Sequence, residues 1–304
     1  MIFRMGVSIA GALTLAGCAS PPAPTMPPSS PRIDAPVVRI TQEPLAADFA
    51  LEGAVMQGGV AIGTAPAGAT SVTLDGRAVP IDPEGRFLIG FDRDAAPTAT
   101  LRAASADGRA VTKVLNVARR TWRIERIDAP LRPTRDTEAF LALRAPELAR
   151  IAAARAIRSD SRGWRQRFQS PVVGRVSGLF GAQRIYRGQP AAYHGGVDVA
   201  ATTGTEVRAP ADGVVILSAT QPYTLEGYLL MIDHGAGLNS AFLHLSRIDV
   251  KEGDRILQGQ PIGAVGSTGR ATGPHLHWGM KWNEARIDPL LLADAAAPAL
   301  IDAP

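Results

Sequence analysis

Cysteine occurs once in 304 residues, at Cys18. No intramolecular disulfide can form, and no thiolate can serve a metal in the body of the protein. Any metal site must therefore come from His, Asp and Glu. Aromatic residues are scarce, at 5%, and none alternate with basic residues as they do in proteins that stack single strands. The formal charge is only +4. That suits contact with an anionic polymer surface but is too weak to argue for nucleic acid as a partner. Long hydrophobic runs are missing too: the first apolar run, from Val7 to Ala16, is too short to cross a bilayer as a helix.

What is present divides the chain into stretches of different texture, and the length allows two modest domains. Residues 1–17 carry Arg4 and then the short apolar run, which reads as a signal peptide. The run ends Leu15-Ala16-Gly17-Cys18, which resembles a bacterial lipobox. That resemblance implies acylation of Cys18, an N-terminal lipid anchor in the membrane and a place in the cell envelope. Ala19 is not acidic, which implies the periplasmic face of the outer membrane if the source is Gram-negative. Residues 18–44 are dense in Pro, Ser and Ala and form an extended tether.

Residues 45–127 alternate in the manner of short strands. Val72, Leu74, Val79 and Ile81 flank Asp75-Gly76, a two-residue hairpin signal, and Asp107-Gly108 marks a second. Phe87, Ile89 and Phe91 alternate, and Trp122 to Ile127 reads as one more strand leaving this region. A small Ig-like β-sandwich is predicted, with no catalytic constellation in it. Residues 128–170 form a helical, basic linker. Pro146 suits a first helical turn, so two short helices are expected in place of one. The arginines between Arg144 and Arg187 read as a solvated face; a positive surface for wall or lipid is the functional alternative. From 171 to 290 short strands and Gly turns return, so an all-β domain is expected. Its strand candidates are Val172 to Gly178, Glu206 to Arg208, Gly213 to Ala219, Tyr228 to Asp233, Leu238 to Leu243, Pro261 to Val265 and Leu276 to Lys281. Residues 291–304 are an Ala-rich tail. The fold class is mainly β.

All five histidines fall between His194 and His277. In His275-Leu276-His277 two imidazoles two apart share one face of a strand and can converge on a divalent metal. In His194-Gly195-Gly196-Val197-Asp198 the spacing is ambiguous. On a straight strand the two side chains would stand about 13 Å apart, too far for one ion, whereas the glycines permit a bend. His244 sits between leucines, where a lone His is more often a hydrogen-bonded core residue.

Taken in order, these pieces resemble the LytM/lysostaphin family of zinc endopeptidases, which cleave peptides of the bacterial cell wall. The resemblance covers residues 171–290. It is carried by Phe180-Gly181 with Arg184, His194-x-Gly-x-Asp198, Gly204-Thr205 with Val207, Asp212-Gly213-Val214-Val215, Asp233-His234-Gly235, His244-Leu245-Ser246, Gly253-Asp254, Gly259-Gln260-Pro261-Ile262-Gly263 and Gly266-Ser267-Thr268-Gly269 through His277. The resemblance implies a barrel-sandwich hybrid domain of the LytM type. It also implies Zn2+ as cofactor, with His194, Asp198 and His277 as ligands, and His244 and His275 as two non-ligand catalytic histidines. Peptidoglycan peptides are the implied substrate. His234 is expected to be structural. Phe242 stands where many members carry a Tyr, so a phenol there is lost; Tyr186 or Tyr193 is the conceivable substitute. A non-catalytic peptidoglycan-binding scaffold that activates another hydrolase is the alternative, disfavoured by five intact site positions. A biotinyl or lipoyl carrier reading of Val250 to Val265 ranks last, since no Lys stands at a hairpin tip there.

Overall fold

The computed structural model describes residues 48–131 and 137–293. The expected signal peptide, Cys18 and the tether lie outside the described residues, as does the tail from 294 onward.

Seven strands come first: β1 (Ala50–Gly53), β2 (Val60–Thr64), β3 (Ala69–Leu74), β4 (Arg77–Val79), β5 (Arg86–Gly90), β6 (Thr98–Ser105) and β7 (Ala110–Asn116). They make two antiparallel sheets, β1-β2-β5 and β4-β3-β6-β7. Asp75 and Gly76 close β3 onto β4 with positive φ at both (48° and 78°), the backbone a two-residue hairpin requires. β6 shows the one-faced pattern, with alternate residues buried. β5 does not: Phe87, Leu88 and Ile89 are all fully buried. The alternation of Phe87, Ile89 and Phe91 implies one covered face, but the C-terminal half of the chain covers the other. A Cβ on Gly90 would lie 2.9 Å from Trp282 Cβ and 3.0 Å from Ile287 Cδ1.

The connection between the two halves is built from polar as well as apolar contacts. β8 (Ile124–Ile127) leaves the first sheets and pairs in parallel with β10 (Gln183–Tyr186), which also pairs with β11 (Gln189–Pro190). The Arg93 guanidinium stacks over Trp122, and its Nε donates to Gly181 O at 3.0 Å. Arg120 reaches Asp288 at 2.8 Å. A single cluster of buried apolar side chains runs from Phe49 to Ile287 through both halves.

Between β8 and the C-terminal strands lies α1 (Glu138–Ala156), one continuous helix with Pro146 inside it. The expectation of two short helices is therefore wrong. Pro146 has no N–H to donate and its ring crowds the preceding turn, a cost of about 3 kcal/mol in a free helix. Two tertiary clamps astride the proline offset it. Arg144 makes a two-pronged ion pair with Glu226 (2.6 and 2.7 Å), and Glu147 accepts from Thr224 N and Oγ1, each at 2.6 Å. Ala154 is the buried residue of the helix, so α1 is held chiefly by charge. The basic stretch is largely a solvated face, as expected, with several of its arginines in exposed ion pairs. Arg150 pairs with Glu252, Arg162 with Glu84, Arg165 with Asp82 and Glu84, and Arg184 with Glu125.

The C-terminal half continues with β9 (Arg175–Gly178), β12 (Gly196–Ala200), β13 (Glu206–Arg208), β14 (Gly213–Ser218), β15 (Tyr228–Gly235), β16 (Leu238–Leu245), β17 (Arg247–Ile248), β18 (Arg255–Ile256), β19 (Pro261–Ala264), β20 (His275–Trp282) and β21 (Ala285–Ile287). The main sheet runs β18-β14-β15-β16-β20-β12-β9, with β21 beside β20, and β13-β19-β17 forms a smaller sheet. The expected all-β region is thus present, and the described residues are mainly β with one long helix. The hydrophobic pattern does not predict β12, because a Gly-Gly pair straddles its start and only Val197 and Val199 flank Asp198. In the register, Asp198 lies opposite His277 and His277 opposite Leu243. The central strands β12, β20 and β16 therefore bring the functional candidates together.

Candidate metal and catalytic site

Asp198 projects from β12 and His277 from β20, where their pairing sets His277 Nδ1 2.8 Å from Asp198 Oδ1. His194 precedes β12, in a loop fastened by its own N–H to Ala182 O at 2.8 Å and by Gly181 N–H to His194 O at 2.9 Å. β12 begins only at Gly196, so His194 and Gly195 lie outside the strand that carries Asp198. His194 Nε2 consequently lies 3.0 Å from Asp198 Oδ1 and 3.0 Å from His277 Nδ1. The separation that a straight strand would impose does not arise.

Two glycines make room for these side chains. A Cβ on Gly178, which faces Asp198 from β9, would lie 2.4 Å from Asp198 Oδ2. A Cβ on Gly196 would lie 2.8 Å from His277 Nε2 and 2.5 Å from Trp278 O.

The donor set fits a divalent metal on grounds of lone pairs. His194 Nδ1 lies 3.0 Å from Leu179 O, and a carbonyl only accepts, so Nδ1 carries the proton and neutral His194 presents a bare Nε2. That lone pair points at a carboxylate oxygen and a second imidazole nitrogen within 3.0 Å. Such a convergence is repulsive unless a proton or a cation occupies its centre. Three N/O donors of this kind suit a metal site with one position left open. His194, Asp198 and His277 are the metal-competent cluster among the described residues.

The electrostatics agree. Burial would push the Asp198 carboxyl up, but hydrogen bonds from His194 and His277 hold it well below the usual carboxylate range. Burial also opposes charge on His194, yet Asp198 outweighs it and leaves that imidazole above its ordinary value. His277 goes the other way: burial lowers it, and Asp198 only partly compensates.

His275 shares a face of β20 with His277, as the spacing predicts. Its Nδ1 donates to Gly273 O at 2.8 Å, and its Nε2 lies 3.8 Å from Asp198 Oδ1. His244 reaches the same cleft by a different device. β16 carries one extra residue between Phe242 and Leu245 relative to β15, and His244 within that bulge has φ 63°. A non-glycine residue in this region costs on the order of 1–3 kcal/mol and re-aims its side chain. Glu226 O accepts from His244 N–H, and Thr268 O accepts from its Nδ1, each at 2.8 Å. Burial lowers the His244 pKa, Thr268 O opposes that, and the nearby His275 and His277 reinforce it. The ring centroids of His244 and His275 are 4.9 Å apart. The cleft they line, of about 360 Å³, also takes in Glu226, Arg270 and Thr272. The sequence assigns none of these three a role: Arg270 and Thr272 lie within the Gly266 to His277 stretch without being singled out, and Glu226 belongs to no spaced pattern.

The remaining candidates fall outside the cleft. His234 is fully buried, donating from Nδ1 to Asp212 O and accepting at Nε2 from Ser240 Oγ, each at 2.8 Å. It is structural, as expected. Phe242 is fully buried. Tyr193 does not replace a missing phenol, because its hydroxyl donates to Asp92 at 2.9 Å and its ring is covered by Arg93 and Arg286.

Comparison with known proteins gives this arrangement its relatives. Residues 192–289 match peptidase family M23. Peptidoglycan DD-endopeptidase ShyA of Vibrio cholerae is 40% identical over 114 residues, covering 37% of this chain and 26% of ShyA. DD-carboxypeptidase/endopeptidase Mpg of Neisseria meningitidis is 40% identical over 126 residues, covering 40% of this chain and 28% of Mpg. The chain thus spans about a quarter of the length of these curated relatives. A crystal structure of a peptidase M23 protein from Pseudomonas aeruginosa is similar over far more of its extent. It has 30% identity and a TM-score of 0.62, covering 79% of this chain and 95% of that one. With nearly the whole of that protein matched, and the metal-competent cluster inside the matched region, this chain belongs to peptidase family M23.

Proposed function

We propose that the protein is a zinc metalloendopeptidase of the cell envelope that hydrolyses peptide bonds in peptidoglycan stem peptides or cross-links. The observation that carries this reading is the convergence of His194 Nε2, Asp198 Oδ1 and His277 Nδ1 to within 3.0 Å, beside two further histidines in one cleft. The names of ShyA and Mpg support the substrate class.

His194, Asp198 and His277 would hold the ion. Zinc in such a site supplies Lewis acidity, polarising a carbonyl and making water acidic enough to attack near neutral pH. The chain's own residues do the rest. His244 and His275 each spend the Nδ1 proton on a backbone carbonyl, which leaves Nε2 as a base. One Nε2 accepts the proton of the attacking water and returns it to the leaving amine; the other ring, in its doubly protonated imidazolium form, donates from Nε2 to the oxygen that gains charge. The strained bulge and the Thr268 contact hold His244 in place, so its orientation is set before substrate arrives.

For location, we propose a lipid anchor at Cys18 in the cell envelope and, for a Gram-negative source, the periplasmic face of the outer membrane, supported by Leu15-Ala16-Gly17-Cys18 and Ala19. No helix among the described residues is long and apolar enough to cross a membrane.

The test is release of soluble muropeptides from purified sacculi, with metal content measured on the same preparations. Wild type is expected to carry one zinc and to release peptides; His277→Ala is expected to lose both. Equal release from the two proteins, or a wild type that takes up no stoichiometric zinc, would remove the enzyme reading.

A further inference from the structure

A second cavity, of about 160 Å³, opens between α1 and the main sheet and shares His277, Glu226 and Leu243 with the catalytic cleft. Three cations line it: Arg155 from α1, and Lys281 and Arg286 from β20 and β21. Glu226 is the acid in its wall, and that carboxylate already has both oxygens on Arg144 at 2.6 and 2.7 Å. Lys281 has Glu284 at 3.2 Å, but the Glu284 side chain is 87% exposed and screened. The cavity is therefore left with an excess of positive charge. Arg155 Nε is shut off from solvent and has no hydrogen-bond partner among the described residues. A buried donor left unmade costs about 1–3 kcal/mol, and cations crowded in one pocket repel one another. Burial and the charge of Arg286 push the Arg155 pKa down against the weaker pull of Glu284 and Glu226, and burial and Arg155 push Lys281 down against Glu284. An anion in the cavity would relieve all of this, and a guanidinium beside an ammonium favours a carboxylate in particular. Met231, Ala241 and Leu229 supply apolar wall below the charges.

We infer that this cavity is a substrate subsite that binds the free carboxylate of a peptide residue with a small apolar side chain, seated next to the scissile bond. The inference rests on the reading of His194, Asp198 and His277 as a peptidase centre, since both cavities touch the His277 ring. The two cavities share His277, Glu226 and Leu243, so a carboxylate held here belongs to the same peptide that occupies the catalytic cleft. Arg155 lies outside the matched residues 192–289. The linker helix would then help to choose the substrate, which is a task beyond spacing.

The test uses the zinc-loaded full chain and two probes that offer no peptide bond between residues, N-acetyl-D-alanine and its amide, with binding followed by ligand-observed NMR. Wild type is expected to bind the acid on the order of tenfold more tightly than the amide. In Arg155→Gln and in Lys281→Gln, each checked for an unchanged melting temperature, the preference is expected to fall to near unity. Equal binding of acid and amide by wild type overturns the proposal. So does a preference that survives in both variants, because it would place the carboxylate on the metal. Sacculus hydrolysis measured in parallel separates the two readings: active protein without acid preference sinks the subsite alone, and acid preference in an inactive protein sinks the peptidase alone.

Discussion

His234 offers a pH test of the fold that is independent of catalysis. Its ring is sealed in the core, against the edge of Phe168 at 4.9 Å, and is neutral there with one nitrogen donating and the other accepting. Burial pushes its pKa from 6.5 down to about 4, with the Asp212 carbonyl and the charge of Asp233 pulling weakly upward. The unfolded chain takes up a proton near pH 6.5, whereas the folded one does so only near 4. Between those values the unfolded state binds more protons, so stability falls as pH falls. The full contribution is present above about pH 6.5 and is lost progressively down to about 4. Integrated from pH 7.5 to 4.5, the loss from this one group is on the order of 2–3 kcal/mol. Chemical denaturation at both pH values, for wild type and for His234→Gln, measures it. An amide can keep both hydrogen bonds but cannot titrate. The variant is expected to be somewhat less stable at pH 7.5 from imperfect packing, and to lose on the order of 2–3 kcal/mol less on acidification. Parallel pH dependences in the two proteins would refute the reasoning.

Two further substitutions probe how the site is built. Gly178→Ala places a methyl within 2.4 Å of Asp198 Oδ2; metal affinity and sacculus hydrolysis are both expected to drop by at least tenfold, on the order of an outer-shell loss, with the circular dichroism spectrum retained. Phe242→Tyr adds a hydroxyl to a ring with no exposed surface. It is expected to cost about 1–3 kcal/mol in denaturation and to leave hydrolysis per folded molecule unchanged, whereas a gain in turnover would show that the phenol reaches the cleft.

How much of this could be seen in the sequence depends on how local the determining geometry is. His275 and His277 were legible because a strand has period two, and nothing distant alters which face each side chain takes. The Asp75-Gly76 hairpin was legible because the turn demands positive φ at two adjacent residues. Pro146 misled for the opposite reason. Its helix-breaking tendency is local, while the clamps that override it, Glu226 and Thr224, lie some eighty residues away. β5 misled in the same way, since its second buried face is covered by Trp282 and Ile287.

The site divides along the same line, and the division says where its chemistry is decided. His194 and Asp198 lie four apart with glycines between, a spacing that leaves both a straight strand and a bend open. Only the fastening of the His194 loop to Ala182 and Leu179 selects the bend. His244 is aimed by one surplus residue in β16, and a bulge is a property of two strands together: Tyr228 and Leu230 must be laid against Leu245 and Phe242 before the extra residue exists at all. Identity of side chain therefore marks the five positions, but their direction is fixed by pairings across the sheet. It follows that a change in the β15–β16 register, made by deleting one residue from the bulge, should leave every one of the five residues in the chain and the metal cluster on β12 and β20 intact, yet turn His244 out of the cleft. Metal uptake kept and hydrolysis lost is the expected pair of results; hydrolysis surviving the deletion would show that the direction of His244 does not matter.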